Sequence, residues 1–287
     1  LKLGLSSYSL VRALRSGEMT IEDAIQWTAD QGGAHIEIVP VGFAADGDFD
    51  WIETVRAKAE KAGIAISSYT IGADFITDSR EQYEAEIERV CRQVDRAYRL
   101  GTKRMRHDAA KRPMEQTGPD RFREDLPRLA EACARIADYA ARFGIVTSVE
   151  NHGYHLQASE RVLTLLQAVN RENFKTTLDV GNFLCVDESP AAAVKRMIGH
   201  ASMIHLKDFY VRPSRMDPGP GWRRSASGNY LRGAIFGHGD VDVREVLRII
   251  KQSGYAGYVS LEFEGMEECR SGSRIGLANA KRLWEEA

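Results

Sequence analysis

The chain has 287 residues, 43% hydrophobic and 28% charged, with 39 Lys and Arg against 41 Asp and Glu for a net charge of −2. That balance is globular, excludes a disordered tail, and gives no general attraction for nucleic acid. No apolar run reaches the length of a membrane span, and Leu1-Lys2-Leu3-Gly4 lacks the apolar region of a signal peptide. Cys91, Cys133, Cys185 and Cys269 are far apart without CxxC spacing, as expected for reduced thiols in a cytoplasmic protein.

Short β-branched runs alternate with longer amphipathic helical runs from end to end. The first strand is read at Lys2 to Tyr8, followed by a helix opening at Thr20, where Glu22 and Asp23 suit a positive helix N-terminus. A strand at Ala34 to Val39 precedes a helix at Asp50 to Ala62; Gly63 closes it before a strand at Ile64 to Ile71. A helix from Arg80 to Leu100 leads to a strand at Lys103 to His107, and one from Asp120 to Phe143 to a strand at Ile145 to Glu150. Strands at Phe174 to Asp179, Ser202 to Leu206 and Gly257 to Phe263 follow, with helices near Ser159–Asn170, Pro190–Ile198, Val243–Gln252 and Arg274–Glu285. Eight β-then-α units in one chain predict a single α/β domain over residues 1–287, a (β/α)8 TIM barrel. A doubly wound open sheet is the rival, but no glycine-rich phosphate turn follows the first strand.

Catalytic groups in such barrels sit at the C-terminal strand ends. The last four strands each close an apolar run with one ionisable group: Glu150, Asp179, His205 and Glu262. Such a residue is costly there unless paired or ligating. Three carboxylates and an imidazole converging on one mouth form a hard divalent site. It suits one ion, Mn2+ first, with Mg2+, Co2+, Zn2+ or Fe2+ as alternatives. The competing reading is four separate salt bridges.

The motifs Val149-Glu150-Asn151-His152, Leu178-Asp179-Val180-Gly181-Asn182, His205-Leu206-Lys207-Asp208, Gly237-His238-Gly239-Asp240-Val241-Asp242 and Ser260-Leu261-Glu262 resemble those of the xylose isomerase-like TIM barrel superfamily. It includes sugar and sugar-phosphate isomerases and epimerases, inosose and dehydroshikimate dehydratases, and endonuclease IV. The resemblance covers the whole chain and implies that Glu150, Asp179, His205 and Glu262 are the metal ligands. It further implies that Glu150 and Glu262 move protons on opposite faces of a sugar. A chelating ion would acidify the C–H between a carbonyl and a hydroxyl and stabilise the enediolate. Returning the proton from the other face gives epimerisation, shuttling it between carbons gives isomerisation, and expelling a β-hydroxyl gives dehydration. A metal-dependent sugar or sugar-phosphate isomerase or epimerase is the first expectation, and a dehydratase of a keto-cyclitol or dehydroshikimate-like substrate the second. An endonuclease IV-like phosphodiesterase ranks third. Its three zinc ions need further histidines, whereas Tyr69 and Asp74 close the third strand and Asn182 follows the sixth.

Around this core, substrate contacts are expected from His107, His152, Asn182 and Lys207, with Glu37 orienting His205, binding a hydroxyl or serving structure. A lid-like insertion is expected at about 210–237, where Arg212, Arg215, Arg223, Arg224 and Arg232 face the single acid Asp217, with Trp222 and Tyr230 interleaved. Arg212 is the candidate there for a substrate anion. His238, in the glycine turn, is a candidate to reach the site, although turn geometry alone explains the glycines. The implied partner is a small sugar or polyol, with no nucleic acid and no membrane, and a homo-oligomer is compatible.

Overall fold

A computed structural model describes residues 1–43 and 50–287. Eight parallel strands close a barrel: β1 (Lys2–Ser6), β2 (His35–Ile38), β3 (Ala65–Ile71), β4 (Arg104–His107), β5 (Val146–Glu150), β6 (Phe174–Asp179), β7 (Ala201–Leu206) and, last in sequence, β11 (Tyr258–Leu261), which pairs β1 on one side and β7 on the other. The insertion after β7 forms a separate antiparallel sheet of β8 (Asp208–Arg212), β9 (Arg223–Arg224) and β10 (Tyr230–Ala234), with β10 in the middle.

The helices are α1 (Val11–Ser16), α2 (Ile21–Asp30), α3 (Asp50–Ala62), α4 (Arg80–Arg99), α5 (Pro119–Ala141), α6 (Ser159–Val169), α7 (Pro190–Met197), α8 (Val243–Gln252) and α9 (Cys269–Glu286). Thr20 caps α2 through a reciprocal box with Asp23, each side chain accepting from the other's backbone N–H. Asp242 caps α8 by accepting from the Glu245 amide. The core lies between strands and helices, where Leu5, Ile36, Met105, Leu178 and Ile204 meet Val90, Cys133 and Leu247, all fully buried.

Two helical features depart from the sequence reading. The short helix α1 is unforeseen, and Gly17 stops it with φ +75°, a conformation only glycine adopts without strain. The last helix starts at Cys269 rather than Arg274, because the Glu268 carboxylate accepts from the amides of Arg270 and Ser271. Gly272 inside it is a packing requirement: a Cβ there would lie 2.4 Å from the Phe263 ring.

At the N-terminal end of the barrel β1 and β2 press together, and His35 begins β2 there. Its Nε2 lies 3.0 Å from the Val259 carbonyl and 3.1 Å from that of Lys2, while Nδ1 lies 2.8 Å from Ser67 Oγ. The opposite end carries the polar residues.

Candidate metal centre and active site

The four strand-end groups converge. One ligand atom each from Glu150, Asp179, His205 and Glu262 lies within 4.8 Å of the others, and all four residues are buried. Parallel register explains this: Glu150 pairs with Thr177 across β5–β6 and Asp179 with His205 across β6–β7.

Each is held from behind. Asp179 Oδ1 accepts from the amides of Gly181 and Asn182 at 2.8 Å each, and its own amide donates to Asn151 Oδ1 at 2.9 Å. Gly181 is required for this turn, since a Cβ would meet the Lys207 carbonyl oxygen at 2.6 Å. Glu150 Oε1 accepts from Asn182 Nδ2 at 2.9 Å. His205 Nε2 faces Glu37 Oε2 at 2.8 Å, and Glu37 Oε1 accepts from Thr70 Oγ1 at 2.5 Å. The inner atoms face the cluster: His205 Nδ1 is buried without a hydrogen-bond partner, and Asp179 Oδ2 has only the Lys207 ion pair at 3.2 Å. Glu150 Oε2 and Glu262 Oε1 each lie 3.8 Å from His205 Nδ1. A buried orphan imidazole nitrogen among three carboxylates fits a divalent ion that accepts nitrogen and oxygen ligands.

Two buried cations complete the floor. Lys207 Nζ lies 2.5 Å from Glu262 Oε2, 3.2 Å from Asp179 Oδ2 and 3.6 Å from Glu264 Oε1. Arg106 Nη2 bridges Asp108 Oδ1 at 2.7 Å and Glu150 Oε2 at 2.9 Å. Burial raises the Glu150 and Asp179 carboxyls above the ordinary range, against the pull of Arg106 on one and Lys207 on the other. Burial would raise Glu262 too, but Lys207 and His205 together hold it below that range. Burial disfavours a charged His205, yet Glu37 and Glu262 raise it to about 10. A cavity of about 360 Å3 opens above this floor, with Tyr8, Val39, Val41 and Ile71 on its apolar side.

The remaining expected contacts divide. His152 and Lys207 line the cavity, His152 with Nδ1 3.3 Å from Asp108 Oδ1. Asn182 lies behind Glu150 and orients it. His107 points the other way: its ring is fully buried against Phe75 and Phe174, Nδ1–H donates to the Asp108 carbonyl at 2.7 Å, and burial lowers its pKa to about 4. Strand alternation sends His107 outward and Arg106 inward, which makes Arg106 the residue that the sequence reading missed. Arg212 donates to Asp240 Oδ2 at 3.3 Å on the far side of the insertion and does not line the cavity. His238 is exposed in its turn, also off the lining. The glycines beside it belong to a clasp, in which the buried Asp208 carboxylate accepts from the amides of Phe209, Gly237, Gly239 and Val241. Arg223 of the insertion lies 3.9 Å from Glu264 Oε2.

With the barrel and its floor in place, the family follows from comparison. A family model described as xylose isomerase-like TIM barrel matches residues 25–287. The chain belongs to that family. It is 22% identical over 144 residues to an inosose dehydratase of Clostridium perfringens, covering 49% of this chain and 48% of that one. The chain thus matches about half the length of such curated relatives. A probable 3-DHS dehydratase of petrobactin synthesis from Bacillus anthracis superposes with a TM-score of 0.77 at 16% identity, over 98% of this chain and 99% of that one. A D-psicose 3-epimerase from Clostridium cellulolyticum H10 does so with 0.75 at 15% identity, over 99% of each. At such identities these two likenesses concern the fold. Among the described residues no helix is long and apolar enough to cross a membrane.

Proposed function

We propose that this chain is a divalent-metal-dependent enzyme that removes a proton from the carbon beside the carbonyl of a small sugar or cyclitol ketone. The observation that carries this reading is the orphaned His205 Nδ1 facing three buried carboxylates. Glu150, Asp179, His205 and Glu262 would hold the ion. When bound, it would chelate the carbonyl and a neighbouring hydroxyl and stabilise the negative charge left by deprotonation.

Glu150 serves as the base, because it lines the cavity and Arg106 with Asn182 fixes its orientation. Glu262 stands across the cluster, and in an epimerase it would return a proton to the opposite face. One contact favours dehydration instead: Lys207 Nζ at 2.5 Å from Glu262 Oε2 lowers that carboxylate's basicity and sets an ammonium over the same floor. In that sequence Glu150 takes the C–H proton and the electron pair forms the new C=C bond. The β-hydroxyl then leaves as water with the proton that Glu150 took, which restores Glu150, while the Lys207 ammonium donates a hydrogen bond to the departing oxygen. The inosose dehydratase relatives agree with this outcome.

The test is elemental analysis of purified protein together with deuterium uptake from D2O into a panel of ketoses and inososes. One divalent ion per chain and Glu150-dependent exchange support the proposal. Full exchange in Glu150→Gln, or no metal after reloading, refutes it. Loss of water from the product separates dehydration from epimerisation.

A further inference from the structure

The charges around the cavity point to what it takes, given the proposed reading of the site. Among the described residues lining it, every cation on the floor and far wall is already matched. Lys207 faces Glu262 and Asp179, Arg106 faces Glu150 and Asp108, and Arg89 Nε lies 2.7 Å from Glu86 Oε2 while its Nη2 donates to the Gly72 carbonyl at 2.7 Å. Arg96 is engaged as well, and His152 has Asp108. A phosphate or carboxylate would find no unspent cation there, and binding such a group without one is costly.

What remains unspent is a mixed pair at the rim, Glu264 on the lining and Arg223 just beyond it. Glu264 makes no hydrogen bond among the described residues and has only loose ion contacts, 3.6 Å to Lys207 and 3.9 Å to Arg223. The side chain of Arg223, on β9, also makes no hydrogen bond among the described residues. Its guanidinium is stacked 4.6 Å from the centre of the fully buried Phe209 ring, which fixes its plane. An acceptor beside a donor matches a hydroxyl, which gives one hydrogen bond and receives another. It disfavours an anion, which Glu264 repels. The aliphatic side formed by Val39, Val41 and Ile71 suits the C–H face of the same polyol.

We propose that the cavity selects an uncharged polyhydroxylated ketone over its phosphate ester or acid, with Arg223 and Glu264 together reading hydroxyls at the rim.

The test is calorimetric titration of the Mn2+-loaded chain with D-fructose, L-ribulose and 2-keto-myo-inositol, against D-fructose 6-phosphate, L-ribulose 5-phosphate and 2-keto-D-gluconate. The best neutral ligand is expected to bind at least ~10-fold more tightly than the best charged one. Arg223→Met should weaken neutral binding by roughly tenfold, and Glu264→Gln should narrow the neutral-to-charged ratio by at least about threefold. A charged ligand binding as tightly or more tightly overturns the inference, and so does failure of all three neutral ligands to bind. Deuterium uptake by the bound ligands reports separately on the proposed chemistry. Neutral binding without uptake refutes that chemistry alone, whereas faster uptake into a phosphate ester refutes only the selectivity.

Discussion

Glu37 and His205 face each other across the buried barrel interior, Oε2 to Nε2, at 2.8 Å. With Thr70 on its other oxygen, the carboxylate has one available orientation, so the imidazole presents Nδ1 to the cluster. Outer partners of this kind fix tautomer and ring direction in metal sites.

Glu37→Gln should therefore weaken divalent-metal binding by about 10–100-fold while leaving the four ligands in place. Calorimetric titration with Mn2+ reads this directly. Unchanged affinity would mean that His205 is oriented by packing alone.

Lys207 neutralises the carboxylates that the metal would occupy. Lys207→Met should destabilise the metal-free chain by roughly 3–5 kcal/mol, because it strips buried Asp179 and Glu262 of their counter-charge. Added metal should recover much of that, so the thermal shift on Mn2+ addition should be larger in the variant than in the parent. Equal melting temperatures without metal would refute this account.

Gly239 is confined by the Asp208 clasp. A Cβ there would lie 2.2 Å from Asp208 Oδ1 and 2.6 Å from the Phe209 carbonyl oxygen, so Gly239→Ala must displace a carboxylate holding four amides. The expected cost is about 2 kcal/mol or more in urea unfolding. A loss below about 0.5 kcal/mol would show that the clasp yields freely.

His35 and His107 set an acid limit. Burial lowers both rings from 6.5 to about 4, so between these values the unfolded chain binds more protons than the folded one. Their effect on stability is neutral above pH 6.5 and becomes destabilising as pH falls toward 4, by roughly 3 kcal/mol each at the limit. His205, raised to about 10, acts in the other window, between 6.5 and 10, and does not offset this. Urea midpoints at pH 7, 5.5 and 4.5 should fall steadily, and less steeply in His35→Asn. Parallel slopes would remove His35 from the account.

Much of the architecture was legible because short β-branched runs and amphipathic helical runs alternate so regularly, and β6 and α8 have the bounds that the pattern predicts. The four converging side chains were legible for a related reason: each is the one ionisable group ending an apolar run. Direction was harder to read. Choosing His107 by its chemistry overlooked that its neighbour Arg106 shares the inward face with Glu150. Arg212 and Arg223 look equivalent in an arginine-rich insertion, and only the pairing of β10 with both β8 and β9 separates the one on Asp240 from the one beside Glu264. His238 drew attention as a histidine, yet the function of its turn rests on backbone amides, which carry no residue-type signal.

The insertion is also sewn down along one margin. Asp187 Oδ1 accepts from Ser225 Oγ and Asn229 Nδ2 at 2.8 Å each, its Oδ2 accepts from the Ser227 amide at 2.7 Å, and Tyr154 Oη donates to the Arg224 carbonyl at 2.7 Å. Raising that margin means breaking all four bonds together. The insertion is therefore pinned to the barrel as a fixed wall on the β6 side, and Arg223 takes its position from that anchorage.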